Sequence, residues 1–329
     1  DSMIRFATIG TNWITEAFIE AAREVEDFAL AAVYSRTEEK AREFAQKTGA
    51  ARTFTDLEEL AKSNEIDAVY IASPNSLHAE QAVFLMNHGK HVLCEKPLAS
   101  NEKEVKAMIG AARRNGVVLM EAMKTTLLPN FQAIRQHLHK LGKIRRYFAS
   151  YCQYSSRYDA YKQGTVLNAF NPAFSNGALM DIGVYCIYPM VVLFGKPNRL
   201  QASSLKLESG VDGEGTIIFT YEDMDAVVMY SKITNSYLPA EIQGEDGSML
   251  IDAIHTPTKV EIRYRDGRVE DITVPQEKPP MYYEAKEFIE LIQNGKRESE
   301  VNSHEHSLLT IALMEEARKQ TGIVFPADQ

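Results

Sequence analysis

Residues 4–15 read IRFATIGTNWIT, and this stretch decides the fold. Ile4, Phe6, Ala7 and Ile9 form a short apolar run that stops at Gly10. From residue 13 to 25 the spacing becomes helical, with Ile14, Ala17, Phe18, Ala21 and Ala22 on one side. A strand that turns through glycine straight into a helix is the place where a dinucleotide-binding loop sits. The fingerprint for such a loop is G-x-G-x-x-G or G-x-G-x-x-A. Only Gly10 of that pattern is present. Asn12 and Thr15 stand where the second and third small residues belong. Asn12 is expected to bend the chain, since Asn tolerates positive φ. By itself the loop reads equally as a nucleotide site or as a plain strand-to-helix turn.

The same alternation continues outward. Strand signals at 28–34, 66–72, 91–95 and 117–122 are separated by helical patterns at 37–49, 56–63, 76–89 and 101–116. Strands buried on both faces and joined by helices imply a doubly wound parallel sheet, an α/β Rossmann domain over 1–122. After residue 123 the pattern changes. A helix near 130–140 precedes alternating strands at 144–155, 216–223, 225–233 and 240–252, and a hairpin at 259–274 turns at Asp266-Gly267. Helices near 281–294 and 303–321 close the chain. Residues 123–329 therefore read as an α+β domain with a large open, mostly antiparallel sheet for substrate binding and oligomerisation. One face of that sheet needs a cover that a second subunit supplies, so a homodimer or higher homo-oligomer is expected.

The 329 residues suit two domains, and 45% hydrophobic residues suit a full core. A net charge of -9 excludes a general nucleic-acid binder, which needs a basic face. Cys94, Cys152 and Cys186 are few, odd in number and far apart, which favours a reducing compartment. No signal pattern is read at the N-terminus and no apolar run is read as a membrane span, so the expectation is a cytoplasmic protein with no membrane partner. Asp1-Ser2 ahead of Met3 reads as a remnant outside the fold. His137 and His139 are two apart on a helix and cannot share a face, and His304 and His306 flank Glu305 at a helix start. No metal site is expected.

Three strand ends carry the candidate site. At the first, Gly10, Thr11, Asn12, Trp13 and Ile14 place backbone N–H groups at a helix start, where they hold a pyrophosphate. At the second, an Asp or Glu for the ribose hydroxyls of NAD is missing, and Ser35 and Arg36 suit the 2′-phosphate of NADP. NADP is the expected cofactor and NAD the second choice. At the third, Ser73, Pro74 and Asn75 form a turn before His78, and all four are candidate cofactor contacts.

At VLCEKPLA (92–99) the pattern becomes specific. Together with the Gly10 loop, SPNSLHAEQA (73–82), GKHVLCEKPLA (89–99), VLMEA (118–122) and GALMDIGVYCIYPM (177–190), it resembles the glucose–fructose oxidoreductase/inositol dehydrogenase family, often called Gfo/Idh/MocA. The resemblance implies an NAD(P)-dependent oxidoreductase acting on a sugar, polyol or cyclic diol. It also implies that Glu95 and Lys96 lie where cofactor and substrate meet, and that the second domain's sheet forms dimers. Many relatives read Asp-x-Gly-x-His on the catalytic helix. Asp181-Ile182-Gly183-Val184-Tyr185 places Tyr there, similar to the dimeric dihydrodiol dehydrogenase branch.

Asp181 and Tyr185 are i and i+4 on a helix and share a face. Hydride transfer at a carbonyl carbon needs a proton at its oxygen. An unperturbed Tyr titrates too high to serve near neutrality, and a nearby ammonium lowers it. Lys96 is the expected ammonium, Tyr185 the proton donor and acceptor, and Asp181 the group that orients the substrate hydroxyl or Lys96. Met123, at the end of the last strand of the first domain, is a candidate nicotinamide contact. Tyr147, Tyr151, Tyr154, Tyr158 and Tyr161 line either a sugar site or a packing surface. The rival reading is a non-catalytic NAD(P)-binding regulator of the same fold, and a third is a redox-neutral reaction on one substrate.

Overall fold

The computed structural model describes residues 3–329; Asp1 and Ser2 lie outside the described residues. The chain begins β1 (Ile4–Ile9), α1 (Trp13–Ala22), β2 (Phe28–Tyr34), α2 (Glu38–Thr48), β3 (Arg52–Phe54), α3 (Leu57–Lys62), β4 (Ala68–Ile71), α4 (His78–Met86), β5 (His91–Glu95), α5 (Glu102–Asn115) and β6 (Leu119–Ala122). It continues through α6 (Pro129–His137), β7 (Ile144–Cys152), α7 (Tyr158–Lys162) and α8 (Val184–Phe194). The strands β8 (Arg199–Lys206), β9 (Asp212–Thr220), β10 (Asp225–Ser231), β11 (Ala240–Gly244), β12 (Gly247–Ile251), β13 (Val260–Tyr264) and β14 (Val269–Asp271) follow. Helices α9 (Pro280–Gln293) and α10 (His304–Thr321) come last.

Two compact units result. The first comprises residues 1–99, 103–124 and 278–304, and the second comprises 100–102, 125–277 and 305–329. A single boundary at 122/123 does not describe this division. Residues 278–304, assigned from the sequence to the second domain, return to the first unit. Phe288 on α9 shows why: its ring centroid lies 5.8 Å from that of Phe6 on β1, and α9 packs against α1.

The first unit holds a six-stranded parallel sheet in the order β3-β2-β1-β4-β5-β6. Its core is an aromatic cluster of Phe6, Phe18 and Phe28, with Tyr70 stacked on Phe18 at 3.9 Å. Each of these rings contributes about 1.5–3 kcal/mol by leaving water. The strand order reverses between β1 and β4, which puts Gly10 at the topological switch point where open α/β sheets bind ligands.

The second unit holds an eight-stranded sheet in the order β14-β13-β12-β11-β7-β10-β9-β8. All its pairings are antiparallel except β7 with β10. Alternate residues (Tyr147, Ala149, Ile217, Phe219, Val228, Ile242) are buried on the face that α8 covers. Ile218 and Leu205 on the other face are 40% and 49% exposed. The segment Pro172–Phe194 is long and apolar enough to cross a membrane by length and composition, which the sequence reading did not register. In the structure it is split into 3-10, π and α turns, and 72% of its most apolar window is buried. Its apolarity is accounted for by the core of the second unit.

Candidate active site

Gly10 adopts φ +111°, and a Cβ there would come within 2.8 Å of the Ala72 carbonyl oxygen. Only glycine lets β1 and the end of β4 approach this closely. Asn12 does not take the positive φ expected of it. Its backbone is extended (φ -91°) and its side-chain oxygen accepts the Thr15 N–H at 3.3 Å, an N-cap. Thr15 fills the third glycine position as a buried residue whose hydroxyl also meets Asn12, at 3.4 Å. The cap leaves the first-turn N–H groups of Trp13 and Ile14 at the helix mouth, where the macrodipole favours an anion. These groups fit a pyrophosphate. Thr11 is half-buried beside them, and Trp13 is 68% exposed.

Beyond β2, Ser35 donates its backbone N–H to Phe54 O and Arg36 is exposed. Thr37 caps α2, so no carboxylate stands between Tyr34 and that helix. Beyond β4, Ser73 donates its hydroxyl to Gln81 at 2.6 Å, and Pro74 and Asn75 are half-buried. His78 was expected to contact cofactor, but it is fully buried. Its ring nitrogens lie 3.0 Å from Pro97 O and 2.8 Å from Ser73 O, and burial pushes its pKa down. Lying between these two carbonyls, it ties the 73–75 turn to the Lys96-Pro97 turn, whose peptide is cis. Met123 is also fully buried, and Asn302 donates to its carbonyl at 3.0 Å.

Lys96 is half-buried, but Glu95 turns into the unit. Tyr70 donates its hydroxyl to Glu95 Oε2 at 2.5 Å. Burial raises the Glu95 pKa against the pull of Tyr70, Lys96 and Lys124. Burial likewise pushes the Lys124 ammonium down. Glu284 on α9 joins this group and has no sequence signal. It is fully buried, neither carboxyl oxygen has a hydrogen-bond partner among the described residues, and burial with the Glu95 charge drives its pKa well above the usual range. Of the two carboxyls, Glu284 is the one that burial and its neighbour's charge push furthest towards the protonated form.

In the second unit, Asp181 lies in a single π turn, Leu179–Gly183, that leads into α8, which carries Tyr185. Such turns recur at functional sites because the extra residue re-aims a side chain. The turn is anchored by Asp212 at the start of β9. Asp212 Oδ2 accepts the Leu179 N–H at 2.9 Å, and burial pushes its pKa up to about 6. Gly177, at φ +119°, leaves room for this carboxyl: a Cβ there would overlap Asp212 Oδ1. The Asp181 carboxylate accepts from Lys232 Nζ at 2.6 Å. The Tyr185 ring lies 5.6 Å from Tyr151 and 6.3 Å, edge-on, from His255, and His255 stacks on Tyr151 at 4.2 Å. Of the five tyrosines read as one set, Tyr147 is buried with its hydroxyl on Cys186 O, whereas Tyr158 and Tyr161 pack with Phe170. Lys232, His255 and Asp212 were not singled out from the sequence. Each is a lone residue in a loop or at a strand end, outside any periodic or spaced pattern.

With this geometry in place, comparison with known proteins is decisive. Residues 4–123 match an oxidoreductase family with an NAD-binding Rossmann fold, and 131–250 match the GFO/IDH/MocA C-terminal domain. The chain belongs to the GFO/IDH/MocA oxidoreductase family. Among its relatives, a scyllo-inositol 2-dehydrogenase (NADP(+)) of Bacillus subtilis is 66% identical over 327 residues, covering 99% of this chain and 100% of that one. A trans-1,2-dihydrobenzene-1,2-diol dehydrogenase of Danio rerio is 34% identical over 99% of both chains. The structure of an aldose-aldose oxidoreductase from Caulobacter crescentus superposes with a TM-score of 0.86 at 21% identity, covering 97% of this chain and 98% of that one. That likeness establishes the shared fold.

Proposed function

We propose that the protein is an NADP-preferring dehydrogenase that interconverts a hydroxyl and a carbonyl on a polyol ring, with scyllo-inositol the first substrate to try. The observation that carries this reading is 66% identity, end to end, with an NADP(+)-dependent scyllo-inositol dehydrogenase. The Lys96, Asp181 and Tyr185 set of a proton relay is present in the chain.

The bound dinucleotide supplies the hydride chemistry. Gly10, Thr11, Asn12, Trp13 and Ile14 form the pyrophosphate turn, and Ser35 and Arg36 receive the 2′-phosphate. Ser73, Pro74, Asn75 and Met123 belong to the nicotinamide side. His78 and Glu95 act from beneath, fixing the turns that present Ser73 and Lys96. Tyr185 gives the proton to the substrate oxygen in reduction and removes it in oxidation. Lys96 supplies the positive charge that favours the phenolate. Asp181 accepts a hydrogen bond from a substrate hydroxyl and so fixes the ring's orientation.

The cofactor-binding role falls to the first unit and the substrate role to the second. A homodimer through the exposed face of the eight-stranded sheet, in the cytoplasm, completes the proposal; a dimeric mass in solution supports the assembly. The deciding experiment is a panel of scyllo-inositol, other cyclitols, aldoses and a cyclic trans-diol, each with NADP+ and NAD+, followed at the nicotinamide absorbance. Turnover of a cyclitol with preference for NADP+ is expected. Tight NADP+ binding with no turnover of any member would replace this reading with that of a regulatory protein.

A further inference from the structure

Lys232 follows β10 and is held there by its backbone. Its N–H donates to Gly213 O at 2.9 Å, and its carbonyl accepts the Ser155 N–H at 2.8 Å. The side chain is buried. Only 6% of it is exposed, whereas its ion-pair partner Asp181 is 42% exposed. The ammonium lies 2.6 Å from Asp181 Oδ2 and 5.1 Å from the centre of the Phe170 ring. Taking an ammonium out of water is costly, and pairing it with a half-exposed carboxylate recovers only part of that cost. Arg318, another deeply buried cation, is satisfied differently. Its guanidinium donates to the Ser100 and Ile323 carbonyls as well as to Asp328. A second acid, Asp212, also feels the Lys232 charge, but it accepts backbone N–H groups of Ala178 and Leu179 in its role as a helix cap.

We propose that Lys232 is a positioning residue for the reaction: it holds Asp181 as a carboxylate, aimed outward from the π turn, to accept a hydroxyl of the polyol beside the carbon that reacts. The pair thereby selects substrates with a hydroxyl adjacent to the reacting centre. An inward cation behind an outward anion is the arrangement that keeps one acceptor ionised and fixed where a hydroxyl-bearing ring arrives. The proposal rests on the polyol-dehydrogenase reading for its substrate, but not for the Lys232–Asp181 coupling.

The test is a cycle of Lys232→Met, Asp181→Asn and the double variant, with scyllo-inositol and NADP+. Lys232→Met is expected to lower kcat/KM for scyllo-inositol about ten- to a hundredfold while the NADP+ dissociation constant stays within about twofold. The double variant should be no worse than Asp181→Asn alone, because Lys232 acts through Asp181. Additive losses would overturn the proposal, since a purely structural lysine or one serving only Asp212 gives them. A second reading needs no substrate. The carboxyl carbon of Asp181, assigned by its loss in Asp181→Asn, is titrated by 13C NMR in the cofactor-free protein. Its pKa should rise by at least about one unit in Lys232→Met. An unmoved titration overturns the coupling, whereas a shifted titration in a protein inactive on every polyol would indict the functional reading alone. If Lys232→Met does not fold, Lys232→Gln makes the same measurements.

Discussion

In the proposed reaction, Tyr185 is the residue on which the chemistry turns. Replacing it with Phe removes one hydroxyl and leaves the ring that packs near Tyr151 and His255. Turnover should fall by at least about a hundredfold, the scale of a lost general acid, with NADP+ affinity nearly intact; a stopped-flow rate close to that of the parent enzyme would remove Tyr185 from the mechanism. Lys96, Asp181 and Tyr185, the proposed relay, stand out in the sequence because they belong to ordered motifs. Lys232 and His255 do not. A lysine after a strand and a histidine in the 252–259 loop carry no signal until the fold brings them to Asp181 and Tyr185. Asn12 was legible as a departure from the fingerprint, but its part was misread. A side-chain cap, not a left-handed backbone, is what Asn provides there.

At the scale of elements, the strands buried on both faces were the most readable. β2 and β5 fall on the expected residues, because apolar runs bounded by turn signals have few alternatives. β3 and β8 were not anticipated: the first is three residues long, and the second is the polar edge strand RLQASSLK. The helix carrying Tyr185 was expected, but not its entry through a π turn capped by Asp212, which depends on a residue more than thirty positions away. That cap carries a pH signature. Burial raises the Asp212 pKa from 3.8 to about 6, so the folded state holds this proton more tightly than the unfolded state. The resulting stabilisation is full below pH 3.8 and is lost as pH rises through about 6; it amounts to on the order of 3 kcal/mol. The stability difference between the parent protein and Asp212→Asn, measured by urea unfolding, should shrink by about that amount from pH 4 to pH 7. A difference independent of pH would mean that the carboxyl is not buried as described.

Across the whole molecule, the unit boundaries were the least legible feature, because helical periodicity in 281–294 says which face is apolar and not which sheet it covers. Glu284 is the informative residue of that returning segment. Its raised pKa stabilises the fold below the ordinary carboxyl range and is lost as pH rises towards its folded value. Glu284→Gln, neutral at every pH, should therefore gain on the parent protein steadily above pH 4.5, by up to about 1.4 kcal/mol per pH unit until the folded pKa is reached. Parallel melting temperatures from pH 5 to pH 8 would contradict a neutral buried Glu284. The return of residues 278–304 to the first unit also orders events on the ribosome. The nucleotide-binding unit is begun first but lacks its Phe288 contact until segment 278–304 emerges, and the second unit lacks residues 305–329 until synthesis ends, so the first unit has all its residues before the second does. For the same reason a fragment ending at residue 122 is not a portable nucleotide-binding cassette: it exposes Phe6 and α1 where α9 belongs, and a swap of cofactor domains between relatives needs three cuts and not one.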